Sequence, residues 1–175
     1  HDVGVLQRLD RFGLHPLVLE DIVNTDQRTK FEDYGGYIFI VLKMLCQGPK
    51  DGAALEQVSI VLGPNFVITV EESPSGAFDS VRELVEKGKG PVRAARADYL
   101  VYLLLDKAVD NYFAILEQFG ERIDALQDEL IAQPSRDDLR RLHQLRREML
   151  LLRRSIWPLR EILAGLERER PGLIQ

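Results

Sequence analysis

Apolar residues follow two different rhythms along this chain, and the change falls near residues 90–94. Up to about Gly90 they come in short runs broken by Gly, Pro, Asn and Asp, the pattern of short helices and strands. From about Ala94 onward they recur at steps of three and four. Leu105, Val109, Tyr112, Leu116, Phe119, Ile123, Leu126 and Leu130 form one such series, and Leu142, Leu145, Met149, Leu152, Ile156, Leu159, Leu163 and Leu166 form a second. Heptad seams sustained over about three repeats mark helices that wrap around each other. Gln133, Pro134 and Ser135 separate the two series, and Ser135 with Asp138 has the spacing of an N-cap followed by an acidic first turn. The pattern predicts a long antiparallel helical hairpin whose first helix, of roughly 38 residues, spans about 57 Å.

The first region predicts smaller elements. Asp2 is placed to cap a short helix carrying Val5, Leu6, Leu9 and Phe12, with Gly13 as its stop. A second short helix begins at His15-Pro16, where the missing proline N–H costs least, and ends at Asn24-Thr25-Asp26. Strands are expected at residues 29–34, 37–46, 57–62 and 66–71, with Gly63-Pro64-Asn65 as a turn, giving an antiparallel meander. Residues 37–46 are apolar on both alternating faces apart from Lys43, so they read as a central strand covered on both sides. Residues 78–87 form an amphipathic helix that Gly88 closes. The predicted fold class is α+β: a mixed, mainly antiparallel sheet flanked by helices, then the helical hairpin. Residues 1–92 are assigned to the α/β subdomain and 93–175 to the hairpin.

Composition narrows the function. Of 175 residues, 45% are hydrophobic and 29% charged, an ordinary globular balance, and the net charge of -5 argues against a domain built to coat nucleic acid. Cys46 is the single cysteine, so no disulfide forms within the chain. His1, His15 and His143 are scattered and offer no zinc-ligand spacing. No run reaches the roughly 18 apolar residues of a membrane helix. No signal peptide is visible, and the chain, opening on His1 and stopping at Gln175, reads as a piece of a longer protein. No nucleophile–base pair stands at motif spacing, and the Gly88-Lys89-Gly90 loop is too short to cradle a phosphate, so no enzyme is expected. Acidic residues on the first long helix and arginines on the second favour pairing between them. Pro158 is expected to kink the second helix, with Trp157 packed at the kink. His15 reads as a helix-start residue and Cys46 as a small apolar strand residue.

Five blocks carry a family resemblance: HPLVLEDIVN from His15, with Gln27, Arg28 and Lys30 after it; YIFIVLKML from Tyr37; EQVSIVL from Glu56; RADYL from Arg96; and SIWPLRE from Ser155. In this order the chain resembles the CorA family of Mg2+ transporters. The resemblance implies an α/β/α domain at the cytoplasmic face of the inner membrane, this piece itself being soluble, leading into long helices. It implies a funnel-shaped homopentamer joined to a pore. The family's first strands would precede His1, and two membrane helices with a Gly-Met-Asn motif would follow Gln175. It implies that Glu20, Asp21 and Asp106 match regulatory metal positions. These would lie between subunits, take Mg2+ with Co2+ as a second candidate, and be completed by an aspartate beyond residue 175.

Mg2+ is a hard ion that takes oxygen ligands and keeps much of its water. Without the resemblance, an adjacent acidic pair on a short helix is the pattern of a solvated edge, and Asp106 with Asp110 that of an exposed helix face. Three other readings stand beside Mg2+ sensing: a Zn2+-transporting relative, a soluble helical-hairpin scaffold that recruits a partner, and, last, a metal-dependent enzyme.

Overall fold

The computed structural model describes residues 4, 8–47, 53–73, 76–88, 90–133, 135–169 and 172–174. The predicted cap Asp2 and the apolar Val5 and Leu6 of the first helix lie outside these residues. Its expected stop is in place: Gly13 adopts φ 64° and donates its N–H to the Asp10 carbonyl, closing a short 3-10 turn over Asp10–Phe12. Helix α1, Pro16–Val23, follows. Its N-cap is His15, whose Nδ1 accepts the Leu17 N–H at 3.2 Å, so His15 is the helix-start residue that the sequence indicated. Val18 and Ile22, one turn apart, are the two residues α1 buries.

Strands β1 (Lys30–Asp33), β2 (Ile38–Gln47), β3 (Ala53–Leu62) and β4 (Val67–Glu71) form one antiparallel sheet in chain order. The meander is the expected one. β3 starts four residues earlier than its alternation suggested, because Ala53 to Glu56 pair with Met44 to Gln47, with Ala53 and Leu55 partly buried against the core. Register Ile38↔Leu62, Ile40↔Ile60 and Leu42↔Val58 puts six apolar side chains on one face, all buried. The other face carries Phe39 and Val41 of β2 and Val61 of β3, which pack against Leu14, Val18 and Ile22. β2 is therefore covered on both sides, and the layering is α/β/α.

Helix α2 is Asp79–Lys87, closed by Gly88 at φ 57°. Helices α3, Ala97–Ala132, and α4, Arg136–Glu169, form the predicted hairpin. Ser135 and Asp138 cap α4 reciprocally: the Asp138 carboxylate accepts the Ser135 N–H at 2.7 Å and the Ser135 hydroxyl accepts the Asp138 N–H at 3.3 Å. One buried cluster unites the sheet face with both long helices.

Only one of each helix's two apolar lines is deeply buried. Leu105, Tyr112, Phe119 and Leu126, seven residues apart, face Leu145, Leu152 and Leu159. The companion line remains largely exposed through Leu116, Ile123, Leu130, Leu142, Met149 and Leu163, because two helices alone cover one line and leave the other at the rim. Part of that line forms an apolar groove of about 740 Å3 edged by Arg146 and Arg153. The expectation for Trp157 is corrected. α4 runs through Pro158 without interruption, and Trp157 is 60% exposed, with the Arg160 guanidinium 5.5 Å from its ring centre. Ile156 and Leu159 take the inward positions, so Trp157, about 100° further round from Ile156, turns outward. Among the described residues no helix is long and apolar enough to cross a membrane.

Candidate functional site

The acidic pair sits at the C-terminal half of α1, where Val18 and Ile22 fix the helix to the sheet and turn Glu20 to solvent. Asp21 is not a free carboxylate. Its Oδ2 lies 2.6 Å from Nζ of Lys30, and both side chains are largely covered, at 14% and 17% exposure. Lys30 also donates to Oε2 of Glu32 at 2.9 Å, and Glu32 accepts the Tyr34 hydroxyl at 3.1 Å. Strand alternation explains the arrangement: Lys30 and Glu32 sit opposite Val41 and Phe39, on the sheet face that α1 covers. The ammonium rests 5.4 Å from the centre of the Phe39 ring.

The main chain of Asp21 is held from the other side. Gln57 of β3, buried, donates Nε2 to the Asp21 carbonyl at 2.8 Å and accepts from Nζ of Lys43 at 3.2 Å. Lys43 also donates to the Thr25 carbonyl. The cation that interrupts an otherwise apolar β2 thus binds the segment where α1 ends. Electrostatics follow from these contacts. Burial pulls the Lys30 ammonium down, but its hydrogen bonds to Asp21 and Glu32 outweigh this and leave it above the ordinary lysine range. Burial lowers Lys43 below that range, with Glu72 and Asp26 opposing. Burial and then the bond to Glu32 raise the Tyr34 phenol.

Asp106 lies on α3, next to the buried Leu105, and is exposed as its position predicted. Among the described residues no three His, Cys, Asp or Glu side chains gather in a way that could hold a metal ion, so Glu20, Asp21 and Asp106 do not form a complete set within one chain. As donors they are hard carboxylate oxygens, which fits Mg2+ rather than a softer metal. Glu20 and Asp106 are open to solvent, whereas Asp21 is engaged by Lys30. The sequence carried no direct signal for Lys30 or Gln57 as partners of Asp21, because both depend on how α1 lies across the sheet.

Residues 2–175 match the family model described as CorA-like Mg2+ transporter protein. The chain belongs to the CorA family. Over 177 residues it is 45% identical to the cobalt/magnesium transport protein CorA of Thermotoga maritima, a match that takes in 100% of this chain and 50% of that protein. This chain therefore spans half the length of that CorA relative. The soluble domain of CorA from Methanocaldococcus jannaschii superposes with a TM-score of 0.85 at 18% identity, covering 100% of this chain and 70% of that one. The complete CorA magnesium transporter of the same organism gives 0.76 at 18% identity, over 93% of this chain and 51% of that one. At such identities these two likenesses speak for the CorA soluble-domain fold, and the α/β/α layering with its long hairpin is that fold. CorA is a transporter family and not an enzyme family, in agreement with the expectation drawn from the sequence.

Proposed function

We propose that this chain is the Mg2+-sensing, gating part of a CorA-type transporter for magnesium, with cobalt as a second cargo. In this reading it lies at the cytoplasmic face of the membrane within a homopentamer. The observation that carries the reading is the match along the whole chain to a cobalt/magnesium transport protein at 45% identity. The geometry adds physical support. Glu20 and Asp106 present exposed carboxylates. Asp21 is fixed relative to the sheet by Gln57, so a force applied at α1 reaches the sheet without slack.

The mechanism is electrostatic. Acidic faces on neighbouring subunits repel, and a bound divalent ion supplies the charge that neutralises them. Glu20, Asp21 and Asp106 would hold the ion through oxygen or through its retained waters at a boundary between subunits, together with the aspartate expected beyond residue 175. High Mg2+ then favours the closed assembly because the ion binds that state better than the open one. Loss of the ion restores the repulsion, and α3, fastened to β2 by the Tyr112 hydroxyl, transmits the separation along the hairpin.

The test is limited proteolysis of the full-length transporter across a Mg2+ series. Asp21→Ala is expected to raise the Mg2+ concentration needed for protection by about ten-fold, the equivalent of roughly 1.4 kcal/mol. A variant protected at the same Mg2+ concentration as the parent removes Asp21 from the site and with it this reading.

A further inference from the structure

We propose that Lys30 is a built-in counter-ion that competes with the divalent cation for Asp21, so that the cation binds by exchange against an ammonium group. This rests on the reading of Asp21 as a metal position and adds the residue that sets its threshold. The geometry is specific. Nζ of Lys30 is 2.6 Å from Asp21 Oδ2 and 2.9 Å from Glu32 Oε2, and it forms the bridge between them. The main chain of Asp21 is tied to the sheet beside Lys30, its carbonyl accepting a hydrogen bond from the buried Gln57. Lys30 is not a solvated surface lysine that drifts away: it is mostly covered and rests on the Phe39 ring.

A cation approaching Asp21, directly or through its water shell, competes with the ammonium for the carboxylate's charge and for Oδ2. Glu32 gives Lys30 a second acceptor, so the exchange breaks one of two ion pairs and leaves the lysine paired. The consequence is an affinity lower than the carboxylates alone would give. An ion of charge two displaces the ammonium once it is concentrated enough, whereas a monovalent ion of equal charge gains little from the exchange. The residue thus tunes both the working concentration and the preference for divalent ions.

Two measurements on the full-length transporter test this. The first is calorimetric titration with Mg2+ at fixed ionic strength. Lys30→Met is expected to bind about five-fold more tightly, the scale of a single ion pair. Lys30→Arg, which keeps the charge, and Lys87→Met, which removes a lysine of α2, are expected to bind as the parent does. The second is acetylation of Lys30 by acetic anhydride, read by mass spectrometry. Labelling is expected to rise as Mg2+ saturates, and to be high without Mg2+ in Asp21→Asn. If Lys30→Met binds no tighter while Asp21→Asn loses binding, Lys30 is no competitor and the sensing reading stands without it. If Asp21→Asn binds as the parent does, or the parent takes up no Mg2+, both fall together. Should Lys30→Met fold poorly, unchanged Lys30 labelling across a saturating Mg2+ series of the parent overturns the exchange by itself.

Discussion

Tyr112 and Gly165 show how single residues join the hairpin to the sheet. The Tyr112 hydroxyl donates to the Lys43 carbonyl of β2, and burial raises its phenol above the ordinary tyrosine value of 10.0. Above pH 10 the unfolded chain loses this proton first, so stability present below pH 10 falls as pH rises. Thermal melts from pH 9 to pH 11.5 are expected to drop less steeply for Tyr112→Phe than for the parent, with a loss of about 1 kcal/mol at neutral pH. Gly165 presses on β1: a Cβ there would lie 2.8 Å from Cδ1 of Phe31. Gly165→Ala is expected to destabilise by about 1–3 kcal/mol, and Phe31→Leu in the same chain to recover part of it in a double-mutant cycle by urea unfolding. At this scale the site was only half legible. Glu20 and Asp21 are adjacent in sequence, yet one is open and the other clamped, and the clamp comes from Lys30 on a strand whose position the acidic pair does not encode.

At the scale of elements, the cap and the seam charges decide how firmly the hairpin is made. Ser135→Ala removes one arm of the reciprocal cap and is expected to cost about 1 kcal/mol in denaturant melts. Opposite charges on the two helices do pair, one bridge in the expected sense and one reversed among the described residues. The exposed Glu129–Arg141 bridge follows the acidic-first, basic-second pattern, whereas the more buried pair is reversed, with Arg122 donating to Glu148 at 2.6 Å. Gln144 also donates to Glu148, at 2.9 Å. Glu148→Ala is expected to destabilise by about 2 kcal/mol, and Glu129→Ala to leave the melting curve unchanged. The heptad spacing made the hairpin legible because it is a local property. Which apolar line is covered was not legible, since Leu126 and Leu130 carry the same side chain at equivalent spacing and only the number of helices present separates them. Trp157 turned outward for the same reason: its neighbours, not its size, hold the inward positions.

For the molecule as a whole, the sheet and the hairpin share one buried cluster, from Ile38 and Ile60 through Leu104 and Tyr112 to Leu159 and Ile162. Helical and tertiary signals are therefore expected to melt together, with coincident far-UV and near-UV transitions. The antiparallel order of the sheet was readable because each strand pairs with its neighbour in sequence. The placement of the hairpin across it depends on close approaches such as Gly165 on Phe31, which no periodicity reports. The length of α3 has a mechanical consequence. From Tyr112, bonded to the sheet, to Ala132 at the bend is twenty residues, an arm of roughly 30 Å. A tilt of about 5° at that fulcrum sweeps the bend through roughly 2.6 Å on such an arm. The hairpin is a lever with a fixed pivot, and small angular errors at the sheet are paid out as ångströms at its far end.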